Sequence, residues 1–569
     1  MNHSGEIAGM KKMLTCGVLA AAVSTSFAVQ AQTVGAQTIS KPDPKLVVVI
    51  SVDQFSANLY AQHRGEFTGG LATLSSGIVY PNGYQSHAFT ETCPGHSTLL
   101  TGKHPNKTGI SANDWYDRET GKTVYCLADP TVTPADDPKG RAVSPANMVA
   151  TTYGDWLKAV SPTSRVFGVS GKDRGAITMS GHHADGQFWY QPGFGFTTWV
   201  PQGQTAEQRL KSVAAFNAKL AADLKKQPYV WNYDKASAKR CKALEASYET
   251  GGRQWRAALP IPAATSDADK LRDLYASPYT DQATLELAQS LRETYGLGDG
   301  PQVDVLTVSL SATDFIGHRY GTRGPEMCDQ ITRLDERLGV FLKSLDKVKG
   351  GVLVVLAADH GGADFVERLA GEGYDSQRVL GKPWIAGLNA QLRKDLDLSW
   401  DPLKADGGID QIYVVGPDGR TPSITDRARV TAAALVLINK DPAVAEAYDS
   451  NAILTLAAAP ADAFPEELSV AERLRRSAYP GRVGDILVAF KPYRVPATAG
   501  TTYVSTHGSP WDYDRRVPIL FWWKGASPHE RVLPLDTVDI APTLAGVTHV
   551  TPPTDIDGVC RPLAYGSHC

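Results

Sequence analysis

The chain of 569 residues has no long basic run and no cysteines spaced as CxxC. The first absence removes the electrostatic footprint of a nucleic-acid partner, and the near balance of 57 Lys and Arg against 60 Asp and Glu agrees with it. The second removes the usual signature of a structural zinc site. Internal repeats are absent. No uninterrupted apolar run reaches a comfortable membrane span: the stretch Met13 to Val29 is broken by Ser24, Thr25 and Ser26. Small molecules remain as the expected partners, with no nucleic acid and no stable membrane partner.

That same stretch reads as an address. Lys11 and Lys12 precede it, and it ends in Val29-Gln30-Ala31, the small-residue pattern of a secretory signal cleaved near Ala31. The expected organisation is a signal peptide over 1–31, a Gln/Thr-rich linker over 32–44 and one large domain over 45–569, in a periplasmic or secreted protein. Cleavage removes Cys16 and leaves Cys93, Cys126, Cys241, Cys328, Cys560 and Cys569. Six cysteines in an exported chain permit three disulfides in fifteen connectivities. Cys560 with Cys569, closing a short tail loop, is the one pairing the spacing suggests.

Three β-branched runs of buried-strand type deliver acids or histidines to loops. Lys45 to Val52 ends at Asp53, Val303 to Leu310 leads to Asp314 and His318, and Val352 to Ala358 leads to Asp359 and His360. A fourth strand over Arg165 to Ser170 is followed by Gly171-Lys172-Asp173-Arg174, and a fifth is expected over Val517 to Trp523. Open α/β sheets hold their sites at the carboxyl ends of strands, so these loops can converge on one edge. Residues 181–300 combine a hairpin-like stretch around Phe188-Trp189-Tyr190 with helices over 205–225 and 281–295, and read as an insertion covering the sheet edge. Residues 366–500, with a helix over 425–439 and a strand over 485–490, read as a second lobe. A capped helix is expected at 536–544.

Between the first two of those strands lies Thr90-Glu91-Thr92-Cys93-Pro94-Gly95-His96-Ser97, a polar loop entering a helix that stops at Gly102. Pro94 suits a first helical position, which sets Thr92 beside exposed N–H groups at the positive end of a helix dipole. By itself this is equally the cap of an ordinary helix. Asp314 and His318 at i and i+4 share one face of a helical turn. With Asp53, Asp359, His360 and His507 they make six oxygen and nitrogen ligands, enough for two adjacent zinc-type sites of three protein ligands each. Two such ions are the arrangement used for in-line phosphoryl displacement.

The ordered motifs SVDQ, TCPGH, SGKDR, TDxxGH, ADHGG and THGSPWDYD, over residues 46 to 545, resemble the alkaline phosphatase superfamily and its PafA-type phosphomonoesterases with a threonine nucleophile. The resemblance implies a three-layer α/β/α sandwich with a large, mostly parallel central sheet and cap insertions. It implies two Zn2+ ions, one held by Asp314, His318 and His507, the other by Asp53, Asp359 and His360 with Thr92 as its nucleophilic oxygen ligand, and a transient phosphothreonine. Asn113 matches the asparagine that donates to a phosphate oxygen, and Lys172 and Arg174 match the pair that contacts phosphate oxygens and bound water. Two cations aimed at a dianionic group favour monoesters. The expected protein is therefore a monomeric, zinc-dependent alkaline phosphatase acting on small phosphate esters, with phosphodiesterase activity as a secondary possibility. Rival readings are a nucleotide pyrophosphatase/phosphodiesterase, a sulfatase or a catalytically silent metal-binding protein. The sulfatase signature fails because Ser97 stands where its arginine should be.

Overall fold

Runs rich in Val, Ile and Leu without alternation make strands that are covered on both faces, and the protein is built on such strands. The computed structural model describes residues 43–569 except 251–252, 263, 406, 461–462, 498–502 and 564–568, so the leader and nearly all of the linker lie outside the described residues. The central sheet has ten strands. Eight carry its topology: β1 (Pro44–Val52), β2 (Ile78–Tyr84), β3 (Val166–Ser170), β4 (Gly186–Gln191), β5 (Gly195–Thr197), β6 (Asp304–Leu310), β7 (Gly351–Ala357) and β8 (Arg516–Trp523). Their order is β2-β8-β7-β1-β6-β3-β4-β5, and the short strands His529–Glu530 and Leu535–Asp536 pair with β2.

Strands β7, β1, β6, β3 and β4 run parallel, whereas β8 is antiparallel to both its neighbours and β5 to β4. Side chains of β1 alternate between two cores: Val48, Ile50 and Val52 face one, Val47 and Val49 the other. The first core includes Ile331, Leu334 and Leu338 of the helix Pro325–Ser344. The second includes Leu99 and Leu100 of α1 (Thr92–Thr101) and Leu544 of the helix Ile540–Val547. Helices thus cover both faces, and the three-layer sandwich with a mostly parallel sheet is present.

The differences from expectation are local. Helix α1 starts at Thr92 behind an extended Glu91 cap, so Pro94 is its third residue, still in the first turn where an N–H has no partner to lose. Gly102 ends it in the left-handed conformation, at φ 66°. The aromatic hairpin β4–β5 is itself the sheet edge instead of lying over it. Residues 381–490 contain a four-stranded antiparallel sheet with helices Gly381–Leu396 and Ile424–Ile438 and a core of their own around Leu392, Ile412, Val430 and Val488.

Disulfides join Cys93 to Cys126, Cys241 to Cys328 and Cys560 to Cys569. Among the described residues no helix is long and apolar enough to cross a membrane.

Candidate active site

The carboxyl ends of β1, β6 and β7 are adjacent because the strands are adjacent, and that edge is where the acids gather. Asp53 follows β1, Asp359 and His360 follow β7, and Asp314 and His318 ride on α2 (Ala312–Tyr320), the helix after β6. His507 arrives from the loop before β8. Two groups form: Asp314, His318 and His507, and Asp53, Asp359 and His360, each with ligand atoms within 4.8 Å of one another.

The donors in these groups fit a dication. His318, His360 and His507 donate Nδ1–H to the carbonyls of Ser505 (2.9 Å), Gly361 (2.8 Å) and Thr90 (2.8 Å). A carbonyl only accepts, so Nδ1 carries a proton in each ring and Nε2 is the atom that faces the carboxylates. Asp53 Oδ1 is fully buried without a hydrogen-bond partner. Two buried carboxylates share one ammonium, Lys172, whose Nζ lies 2.6 Å from Asp53 Oδ2 and 2.5 Å from Asp314 Oδ2. Divalent cations are what such a donor set takes.

Thr92 Oγ1 sits at the meeting point. Lys172 Nζ, Arg174 Nη2 and His360 Nε2 are each 3.5 Å from it. Asn113 lies alongside, its Oδ1 accepting from Cys93 N–H at 2.8 Å. All ten sequence-predicted site residues are therefore gathered at one sheet edge. Of these, Asn113, His318 and His507 line a cleft of about 780 Å3, whose walls also include Glu91 and, from the second lobe, Lys382 and Phe490.

The family described as type I phosphodiesterase / nucleotide pyrophosphatase matches residues 47–510. Alkaline phosphatase PhoK of a Sphingomonas species is 39% identical over 550 residues, covering 93% of this chain and 93% of the relative. Alkaline phosphatase PhoD of Zymomonas mobilis is 37% identical over 532 residues, covering 91% and 88%. The crystal structure of wild-type alkaline phosphatase PafA superposes with a TM-score of 0.77 at 28% identity, covering 92% of this chain and 99% of that one. The chain belongs to the alkaline phosphatase superfamily, in its PafA-type group. It is a hydrolase of that superfamily.

Burial sets the electrostatics of this alkaline-phosphatase site. It pushes the Asp53 carboxyl well above its ordinary 3.8, with the Asp359 charge adding to the effect. Burial works the same way on Asp314, but His318 and Lys172 outweigh it and hold that carboxyl well below 3.8. His360 and His96 do the same for Asp359. Burial lowers His360 to about 3 and also lowers His507, which keeps both rings neutral and available as ligands.

Several supporting residues were not anticipated. Gln54 bridges the two groups: its N–H donates to Asp359 Oδ1 (3.1 Å) and its Nε2 to Asp314 Oδ1 (3.0 Å), from a backbone at φ 64°. A Cβ on Gly317 or Gly362 would collide with the Gln54 side chain, so the glycines of TDxxGH and ADHGG make room for it. His96 places Nδ1 3.0 Å from the Thr92 carbonyl and 2.9 Å from Asp359 Oδ2, with Nε2 2.8 Å from Ser309 Oγ. Asp514 accepts from Ser509 N–H (2.8 Å) and Oγ–H (2.6 Å), while its carbonyl accepts from Gly361 N–H (2.6 Å), tying the His507 loop to the His360 loop. Each lies inside a motif already singled out, and that position was the only signal in the sequence.

Proposed function

We propose that the protein is an exported, zinc-dependent phosphomonoesterase that cleaves small phosphate esters through a phosphothreonine at Thr92. The observation that carries this reading is the convergence of Lys172, Arg174 and His360 on Thr92 Oγ1, each at 3.5 Å, at the start of α1. Zinc held by the two trios of carboxylate and imidazole ligands would supply Lewis acidity toward the Thr92 hydroxyl and the ester oxygens.

The chain's own groups do the rest. A threonine hydroxyl is a weak nucleophile at neutral pH and needs its proton removed to attack. The Arg174 guanidinium and the Asn113 amide direct donors at the nonbridging phosphate oxygens, where charge is held through the displacement. The ester oxygen leaves as alcohol into the cleft, and water then cleaves the phosphothreonine, returning Thr92 and inorganic phosphate. Export is supported by the leader reading and by three disulfides, which persist in oxidising compartments. The relatives' designation as alkaline phosphatases supports the monoester reading.

A phosphodiesterase reading is favoured by the family described over residues 47–510 and by a cleft roomy enough for a second ester group. One assay separates the two. Zinc-loaded protein is expected to hydrolyse p-nitrophenyl phosphate much faster than bis-p-nitrophenyl phosphate; equal rates or a diester preference would overturn the assignment.

A further inference from the structure

The Cys93–Cys126 disulfide closes around Asn113. The Asn113 backbone carbonyl accepts from Cys126 N–H at 2.8 Å, its Oδ1 accepts from Cys93 N–H at 2.8 Å, and its own N–H donates to Glu91 Oε2 at 2.6 Å. An amide N–H only donates, so Oδ1 must face Cys93 and Nδ2 is the end left for the cleft that Asn113 lines. Tyr125, next to the second half-cystine, donates its hydroxyl to Asp173 Oδ1 at 2.7 Å and lies 3.4 Å from Arg174 Nη1.

These residues flank a hairpin that lies outside the central sheet. Asp114–Asp117 and Lys122–Tyr125 pair only with each other and are not part of the central sheet. Cys93, the second residue of α1, is joined to the end of that hairpin by the S–S bond, inside a small apolar cluster with Trp115, Tyr116 and Ile177. The bond fixes the distance between the helix that carries Thr92 and the hairpin that carries Asn113 and Tyr125.

We propose that the Cys93–Cys126 disulfide is a positioning cross-link that holds the Asn113 amide in register with the Thr92 hydroxyl. The proposal rests on the reading of Asn113 as a phosphate ligand. It assigns the bond a part in turnover that Cys241–Cys328, whose half-cystines adjoin no proposed site residue, does not share.

A double-mutant cycle tests it. In zinc-loaded protein, kcat/KM for p-nitrophenyl phosphate is measured for the unaltered chain, Asn113→Ala, Cys93→Ala/Cys126→Ala and the triple variant, with metal content determined on each. Asn113→Ala is expected to lower kcat/KM about 10^2-fold, as loss of one donor to a developing oxyanion does. Removing the disulfide is expected to lower it about tenfold in the unaltered chain and less than about twofold when Asn113 is already Ala, because coupled residues are not additive. Cys241→Ala/Cys328→Ala should lose the same factor in both backgrounds. If the alanine pair does not fold, Cys93→Ala/Cys126→Val fills the space without the bond and repeats the cycle. Equal losses in both backgrounds, or none in the unaltered chain, would overturn the cross-link role while leaving Asn113 in place. Activity untouched by Asn113→Ala would overturn the phosphate-ligand reading and this role with it.

Discussion

His360 Nε2 stands 3.5 Å from the Thr92 hydroxyl oxygen, and both side chains are buried. The His360 ring is locked by its Nδ1–H bond to the Gly361 carbonyl, so its free lone pair and the hydroxyl face one point. The proposed metal ligand on a strand end and the proposed nucleophile on a helix start therefore share a vertex, which is the arrangement a metal-activated hydroxyl requires.

In the proposed reaction Lys172 and Arg174 divide the substrates. Replacing both by Ala is expected to lower kcat/KM for a phosphate monoester about 10^3-fold and for a diester less than about tenfold, because the diester presents one fewer charged oxygen. Steady-state kinetics on both substrate types reads the ratio. A uniform loss would assign the pair to folding or to general binding.

Metal removal should abolish both activity and part of the stability. Ions that bind the folded chain stabilise it by about 2.7 kcal/mol at a free concentration of about 100 times Kd. Chelator dialysis is expected to remove turnover and lower the melting temperature, and added zinc to restore both. A chelated sample that retains activity and melting temperature would contradict the two-site reading.

Acid should destabilise the metal-free protein through its buried histidines. Burial lowers His360 to about 3 and His87 well below its ordinary 6.5, so between those values the unfolded chain binds more protons than the folded one. The stabilisation is full above about pH 6.5 and is lost as pH falls toward the folded values, at about 1.4 kcal/mol per pH unit for each histidine. Asp53, whose carboxyl is raised, acts in the opposite sense, so the difference made by a single histidine is the cleaner readout. His87→Leu is expected to flatten the fall of melting temperature with pH by up to one proton's slope; an unchanged slope would contradict it.

Gly95 lets α1 touch the end of β7. A Cβ there would overlap the Asp359 carbonyl oxygen, so Gly95→Ala must push the helix start away from His360. Overpacking of this kind costs about 1–3 kcal/mol. Thermal melting and metal content should both fall, and an unchanged variant would show that the helix start has room to shift.

Much of the site was legible because Asp53, Asp314 and the Asp359–His360 pair each follow an apolar strand closely in sequence, so strand ends and chemistry could be read together. The place of β8 was not: periodicity shows a strand but not its direction, and β8 enters late in the chain, antiparallel between β2 and β7. Gln54, His96 and Asp514 were missed for a related reason. A buried polar residue declares its role through partners far off in sequence, as Gln54 does with Asp314 and Asp359. The pairing of Cys93 stayed open in the sequence, and its closeness to Asn113 depends on where the hairpin docks.

The most direct test is to trap the phosphorylated chain. Zinc-loaded protein is mixed with a phosphate monoester, quenched in acid within one turnover, digested and mapped by mass spectrometry. Phosphate is expected on Thr92 in the unaltered protein, and neither phosphopeptide nor turnover in Thr92→Ala. Turnover that survives Thr92→Ala, with no phosphate recovered on Thr92, would show that water attacks the ester directly and would contradict the account.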